Sequence, residues 1–295
     1  MLTPILGKSI KNHSSMKTGG VVKCAYFPET ETELCEIINA LKKEKRKYIV
    51  LGNMSNVLLP DEEMEAVLVV TTEMKNVIKI SETSVYAEAG VSFTKLALDV
   101  SKSGLSGLEF AYGIPGSVGG AVYMNAGAYG GETKDVIKSV RALDENGNVV
   151  AFTGEECAFD YRKSAFQNDK YVILGAEFEL VKKDADECVK YAKELMQKRV
   201  DKQPLEYPSC GSTFKRPEGY FAGALIEEAG LKGYSVGGAK VSEKHAGFVI
   251  NFDNATTEDV LSLMRKVRET VKEKNGVTLE AEIKLLDKNG EFFSL

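Results

Sequence analysis

One stretch sets the terms for this chain: Gly113-Ile-Pro-Gly-Ser-Val-Gly-Gly-Ala-Val-Tyr-Met-Asn-Ala-Gly-Ala-Tyr-Gly-Gly131. Glycine stands at 113, 116, 119, 120, 127, 130 and 131, with apolar residues interleaved and charged ones absent. A flexible linker would carry Ser, Glu and Lys instead. Glycine reaches backbone angles closed to other residues and lets a ligand come close to the main chain. Consecutive bare N–H groups then cradle an anion such as phosphate. A Walker loop is excluded because no G-x-x-x-x-G-K-[ST] string occurs, and the glycine spacing is not the G-x-G-x-x-G of a Rossmann turn. On the glycines alone, a phosphate cradle and a tight-packing loop or set of β-bulges fit equally well.

The 295 residues favour two domains, or one with a large insertion. Lys and Arg number 38 against 43 Asp and Glu, and the formal net charge of −5 argues against a nucleic-acid partner. Apolar content of 43% suits a well-cored globular protein. No apolar run is long enough to span a bilayer, so no membrane association is expected. The start Met1-Leu-Thr-Pro-Ile-Leu-Gly7 lacks the charged region and apolar core of an export signal. Cysteines 24, 35, 157, 188 and 210 are widely spaced and form no zinc or CxxC pattern. No metal site and a reducing, cytoplasmic setting are therefore expected.

Thr30 and Glu33 read as a capping box before Leu34, Ile37, Ile38 and Leu41, an amphipathic helix over roughly 31–44. Tyr48–Leu51 reads as a buried strand that ends in a second turning loop, Gly52-Asn-Met-Ser-Asn56. This loop is either an ordinary turn or another piece of the phosphate cradle. Strands are expected over 66–70, 77–80 and 85–89, followed by a helix capped by Ser92. After the glycine stretch, strands near 137–143 and 149–152 are joined by Asp144-Glu-Asn-Gly-Asn148, a hairpin signal, and 171–181 is a further strand. The second half reads as helices near 185–200, 221–229 and 257–274, with strands near 247–251 and 278–286. The mixed order, without regular βαβ units, indicates α+β in both halves.

Five stretches together resemble one family, the flavin-dependent UDP-N-acetylenolpyruvoylglucosamine reductases of cell-wall synthesis. They are Gly52-Asn-Met-Ser-Asn56, the glycine stretch with Met124-Asn-Ala-Gly-Ala-Tyr-Gly130, Tyr161-Arg-Lys-Ser164, Gly211-Ser-Thr-Phe-Lys215 and Leu279-Glu-Ala-Glu-Ile283. The resemblance runs from about residue 10 to 286 and is to the shorter form, with no extra loop in the second domain. It implies an α+β chain whose residues 1–182 form an FAD-binding domain of the vanillyl-alcohol-oxidase (PCMH) type, in subdomains of about 1–70 and 71–182. Residues 183–295 would form an α+β substrate-binding domain. Gly52, Asn53, Met54, Ser55 and Asn56 would hold non-covalent FAD, together with Gly113, Ile114, Pro115, Gly116, Ser117, Gly119, Gly120, Asn125, Ala126 and Gly127. A side chain at Gly119 or Gly120 is expected to block the pyrophosphate or to demand a forbidden backbone angle.

The resemblance further implies NADPH as co-substrate, UDP-N-acetylglucosamine enolpyruvate as substrate, and a cytoplasmic enzyme, here expected to be a monomer. A hydride would pass from NADPH through the flavin N5 to the methylene end of the enolpyruvyl ether. The charge left on the carboxylate side then needs a cation and an acid, and the adjacent carbon needs a proton donor. Arg162, Glu282 and Ser212 match the family's residues for these roles: Arg162 at the substrate carboxylate, Glu282 assisting the enolate, Ser212 giving the proton. Tyr129, Arg199, Lys202 and Lys215 match substrate contacts. Arg216 and Gly247 stand where the family commonly has Asn. Blander uses of the three catalytic candidates are a surface ion pair for Arg162, a turn cap for Ser212 and a solvent-facing position for Glu282. Two other readings of the whole chain are a flavin oxidase of the same superfamily and a non-catalytic flavin- or nucleotide-binding module. The first would need a substrate base and often a covalent flavin on His or Cys, and no histidine lies in the glycine stretch.

Overall fold

A computed structural model describes residues 3–168 and 170–295. Two compact units emerge. The first is built from Ala25–Asn53 and Leu68–Lys198, the second from Ile5–Cys24, Met54–Val67 and Arg199–Leu295.

In the first unit, helix α1 (Glu31–Lys43) starts at Thr30, whose hydroxyl accepts the Glu33 N–H at 3.2 Å. Its expected apolar stripe, Leu34, Ile37, Ile38 and Leu41, is buried, each side chain contributing roughly 1.5–3 kcal/mol over exposure. Nearby, Ala25 and Tyr26 pair in parallel with Leu68 and Val69. Among the described residues the main sheet has five antiparallel strands, in the order Val149–Thr153, Ile137–Leu143, Val172–Glu179, Ser84–Glu88, Val77–Lys79. The 144–148 hairpin closes as its composition predicts: Asp144 accepts the N–H groups of Asn146 and Asn148 at 2.9 and 2.7 Å, and Gly147 takes φ +85°. Helix α2 (Phe93–Lys102) is capped by Ser92. The glycine stretch is not loop throughout, because it contains helix α3 (Val118–Met124) and the paired short strands Gly127–Ala128 and Gly131–Glu132. Phe93, Phe110, Phe166 and Phe178 centre the core beneath them. Helix α4 (Ala185–Lys202) starts at Asp184, which accepts the Glu187 N–H, and carries the chain out of this unit.

In the second unit, helix α5 (Ala222–Glu228) and helix α6 (Thr257–Asn275) enclose a core with the sheet Ser235–Val236, Ala239–Val241, Val249–Asn251. Val260, Met264, Val267 and Val271 of α6 are buried at the expected helical spacing. Thr256 and Asp259 form its capping box, and Gly276 ends it at φ +73°. Met16 and Leu58, from early in the chain, lie inside this same core. The Asn251 amide donates to the Met16 carbonyl at 2.9 Å and the Thr257 hydroxyl to the Leu59 carbonyl at 2.6 Å.

These contacts change the expected boundaries. The compact units divide near residue 198 instead of 182, and the second unit recruits 5–24 and 54–67, which sequence order assigned to the first domain. The 278–286 segment is also shorter as a regular strand, Lys284–Leu286, which pairs in parallel with Val57–Leu58. Among the described residues, no helix is long and apolar enough to cross a membrane.

Candidate functional site

In the first unit the glycine loop is fixed before any ligand is considered. Gly116 accepts the Phe93 N–H at 3.0 Å, Val118 donates to Val91 at 2.9 Å, and Gly119 donates to Ala89 at 2.8 Å. The Thr94 hydroxyl accepts the Gly113 N–H at 2.6 Å. Gly113 and Gly116 take φ of +93° and +149°, values that disfavour other residues. Ser117 is buried and caps α3, accepting the Gly120 N–H. Gly52, which opens the 52–56 loop, approaches this loop closely: a Cβ there would stand 2.2 Å from the Ser117 hydroxyl. Glycine at 52 thus lets the two loops approach. No acidic side chain occurs within 113–120 or at 52–53. The N–H groups of Gly113, Val118, Gly119 and Gly120 are engaged within the protein, so what this surface offers an anion such as the FAD pyrophosphate is close approach to small residues and main chain without negative charge.

Gly119 and Gly120 part company. Neither has positive φ. A Cβ on Gly119 would meet Ala89 at 3.0 Å from its Cβ and 3.2 Å from its carbonyl oxygen, so the close approach there is to the protein's own backbone. A Cβ on Gly120 would meet only the Ser117 hydroxyl, at 3.6 Å. Of the two expected reasons for glycine here, a forbidden backbone angle therefore does not apply at either position: a side chain at Gly119 would press on Ala89, and one at Gly120 has room within the protein.

Asn125 ends α3 in the left-handed region at φ +41° and is fully buried. Its amide donates to the Glu132 carboxylate at 3.0 Å and to the Asp160 carbonyl at 3.1 Å, while its oxygen accepts the Lys134 N–H at 3.0 Å. The Asn125 side chain thus joins the end of the glycine loop to the turn that carries Arg162. The Ser164 hydroxyl and the Gln167 amide both donate to the Tyr123 carbonyl, at 2.8 and 2.7 Å, and Gln167 also holds the Arg162 carbonyl at 3.1 Å. Arg162 stands at φ +54° and donates to the Gly127 carbonyl at 3.2 Å. Its guanidinium lies over the Tyr161 ring, 5.1 Å from the centroid. Lys134 holds the Glu132 carboxyl below the usual carboxylate range, with Asn125 and Arg162 adding to the effect. Met54, Asn125, Tyr129 and Arg162 are all non-glycine residues at positive φ. Such strain costs of order 1–3 kcal/mol per residue and gathers at functional sites.

In the second unit the Ser212 and Glu282 segments meet through Thr213. Its carbonyl accepts the Glu282 N–H at 2.9 Å, its hydroxyl accepts the Val249 N–H at 2.9 Å, and its own N–H donates to Gly247 at 2.9 Å. Thr213 is fully buried, whereas the neighbouring Ser212 is exposed after Gly211 at φ +76°. Glu282 is half-buried, not on a solvent face, and its carbonyl accepts the Asn56 amide at 3.1 Å. The Asn56 side chain, expected at the cofactor, is engaged by the segment that carries Glu282. Lys215 pairs with Glu280 at 3.1 Å. Arg199 is buried, whereas Lys202 is exposed. Arg216 donates to the Tyr220 carbonyl and stacks over the Phe221 ring at 4.0 Å. Lys244 and His245 sit in a turn, both N–H groups donating to the Ser242 hydroxyl.

Thr94, Asp160 and Gln167 escaped the sequence reading, since single polar residues outside a motif carry no local signal, and Thr213, though inside the Gly211–Lys215 motif, has no role in that reading. The Tyr161–Ser164 motif did mark the neighbourhood of two of them. Among the described residues, no cluster of His, Cys, Asp and Glu has the makings of a metal site.

Comparison with known proteins is consistent across the chain. A family model described as an FAD binding domain matches residues 22–153, and one described as the C-terminal domain of UDP-N-acetylenolpyruvoylglucosamine reductase matches 203–286. A relative of that enzyme name from Caldanaerobacter subterraneus subsp. tengcongensis is 47% identical over 281 residues, covering 95% of this chain and 93% of the relative. Another from Syntrophomonas wolfei is 46% identical over 282 residues, covering 95% and 94%. The crystal structure of UDP-N-acetylenolpyruvylglucosamine reductase from Thermus caldophilus superposes with a TM-score of 0.81 at 32% identity, covering 97% of this chain and 98% of that one. Identity of this extent over nearly the full length of both chains leaves one conclusion: the chain belongs to the UDP-N-acetylenolpyruvoylglucosamine reductase family, the FAD-dependent oxidoreductases of peptidoglycan synthesis.

Proposed function

We propose that this chain reduces the enolpyruvyl ether of UDP-N-acetylglucosamine enolpyruvate to UDP-N-acetylmuramate, using NADPH and non-covalent FAD. The observation that carries this reading is the seating of an exposed Ser212 and a half-buried Glu282 on segments joined by the Thr213 carbonyl. A proton donor and an acid on one rigid frame suit a reaction that ends in protonation of an enolate. FAD, when bound, supplies the two-electron redox chemistry.

The chain's own residues then divide the work. The Gly113–Gly120 loop and Gly52 offer the cofactor's pyrophosphate a surface of backbone and small side chains. Arg162 binds the substrate carboxylate, its backbone held by Gln167 and its guanidinium by Gly127, so orientation is fixed in advance. Reduction at the methylene carbon leaves negative charge on the adjacent carbon and its carboxylate. Arg162 and Glu282 stabilise that charge, and the Ser212 hydroxyl delivers the proton to the carbon. Ser is a weak acid, so a charged neighbour or a relayed water must assist it. Tyr129, Arg199, Lys202 and Lys215 contact the substrate. The unit built from Ala25–Asn53 and Leu68–Lys198 carries most of the FAD contacts and the unit that includes Arg199–Leu295 binds the nucleotide sugar, in a cytoplasmic monomer.

The test is an absorption spectrum of the purified protein. A yellow protein that is bleached by NADPH, and recoloured without oxygen only by the enolpyruvyl sugar, is the expected result. Acid precipitation should release the flavin into the supernatant. A colourless protein that cannot be loaded with FAD, or a reduced flavin that the sugar leaves unchanged, would refute the reading.

A further inference from the structure

Arg162 stands at the tip of a tight turn. Asp160 and Lys163 exchange both backbone hydrogen bonds, each at 3.1 Å, so Tyr161 and Arg162 form the reversal between them. Arg162 takes φ +54° there, a left-handed conformation that a long side chain holds only when its surroundings impose it. One such constraint comes from Gln167, which lies outside the Tyr161–Ser164 motif. Its Nε2 donates to the Arg162 carbonyl at 3.1 Å and to the Tyr123 carbonyl at 2.7 Å. Tyr123 lies in the last turn of α3, where a carbonyl has no partner further along the helix. The hydroxyl of buried Ser164 donates to that same carbonyl at 2.8 Å, and the Gln167 N–H donates to the Ser164 carbonyl at 3.3 Å. The Gln167 side chain is half-buried. Both carbonyls can only accept, so the amide must turn its NH₂ group to them, and its two protons suffice for the two.

We infer that Gln167 is a positioning residue for substrate reduction: its bridge between the Tyr123 and Arg162 carbonyls locks the left-handed backbone that sets where the Arg162 guanidinium stands. This rests on the function proposed above, in which Arg162 meets the substrate carboxylate. In that reading α3 starts in the glycine loop at the cofactor, so the bridge registers the carboxylate site against the flavin. A contact that only stabilised the fold would serve both half-reactions alike. One that acts through Arg162 serves the second alone, because flavin reduction by NADPH involves no substrate carboxylate. A misplacement of about 1 Å is enough to slow reaction of the bound sugar about 10²-fold.

Gln167→Met keeps the side-chain length and removes both donors. The FAD-loaded variant should be reduced by NADPH at the wild-type rate and reoxidised by the enolpyruvyl sugar, without oxygen, about 10–100-fold more slowly. In an Arg162→Ala background the same change should cost no further reoxidation rate, since the group it positions is gone. Gln167→Glu gives a second reading and carries the test if the Met variant is insoluble. An ionised carboxylate can only accept, whereas a protonated one donates to one of the carbonyls. The reoxidation rate of Gln167→Glu relative to wild type should therefore rise as pH falls from about 8 to about 5.5. Unchanged reoxidation in Gln167→Met overturns the inference. So does equal slowing of both half-reactions, an undiminished loss in the Arg162→Ala background, or a pH-independent ratio for Gln167→Glu. A wild-type reduced flavin that the sugar leaves unchanged overturns the proposed function itself, a distinct result.

Discussion

Replacing Asn125 tests how the glycine loop and the Arg162 turn are held together. Asn125→Ala removes three partly buried side-chain hydrogen bonds, to Glu132, Asp160 and Lys134. Two are neutral, at about 0.5–1.5 kcal/mol each, and the one to the Glu132 carboxylate contributes about 1.5–3 kcal/mol. Alanine must also hold φ +41°, ψ +56°, at about 1–2 kcal/mol. Allowing for non-additivity, the alanine variant should lose about 4 kcal/mol. Asn125→Gly loses the same hydrogen bonds but tolerates the left-handed angle, so it should recover about 1–2 kcal/mol of that loss. Urea unfolding followed by circular dichroism and flavin fluorescence reads both numbers. Both variants should also lose catalytic efficiency beyond any loss of flavin, because the Asp160 contact anchors the turn that carries Arg162. Equal stability of Ala and Gly variants would refute the backbone argument. A loss below about 1 kcal/mol in both would refute the hydrogen-bond argument.

Ser212→Ala should leave flavin content and flavin reduction by NADPH near wild type while slowing reoxidation by the enolpyruvyl sugar about 10²–10⁴-fold, with partial rescue by cysteine. Stopped-flow absorbance separates the two half-reactions, and equal slowing of both would remove Ser212 as the proton donor. Gly119→Val should fail at the level of folding, lowering soluble yield, because its side chain would press on Ala89, whereas Gly120→Ala should fold and keep most of its flavin; identical behaviour of the two would contradict the packing assignment. Burial pushes His245 below its ordinary value of 6.5, and its Nδ1 accepts the Gly247 N–H at 3.1 Å, so the folded state favours the neutral ring. The unfolded chain then takes up the proton first, and stability present above about pH 6.5 should decline as pH falls below it. Urea midpoints from about pH 8 down to 5.5 should show this slope in wild type and a flatter one in His245→Asn.

Much of this protein was legible without its fold. The buried stripe Leu34, Ile37, Ile38, Leu41 of α1 and the series Val260, Met264, Val267, Val271 of α6 follow from local periodicity, as does the Asp144–Asn148 hairpin from turn chemistry. The motifs around Asn56, Asn125, Arg162, Ser212 and Glu282 carried the family. Local patterns survive because each is satisfied within a few residues of chain.

Only the tertiary structure decided the rest. It made Gly119 a packing residue against Ala89 and left room at Gly120, although the two are neighbours of identical type. Asn125 and Asn56, both legible as cofactor residues, turn out to engage the protein's own Asp160 and Glu282. Met16 and Leu58 were drawn into a core with α6, more than 190 residues further along, and the domain boundary moved with them. In each case the deciding partner is remote in sequence. A side chain's hydrogen bonds, and the space a glycine must leave empty, are set by whatever the fold brings against it, and no window of the sequence contains that partner.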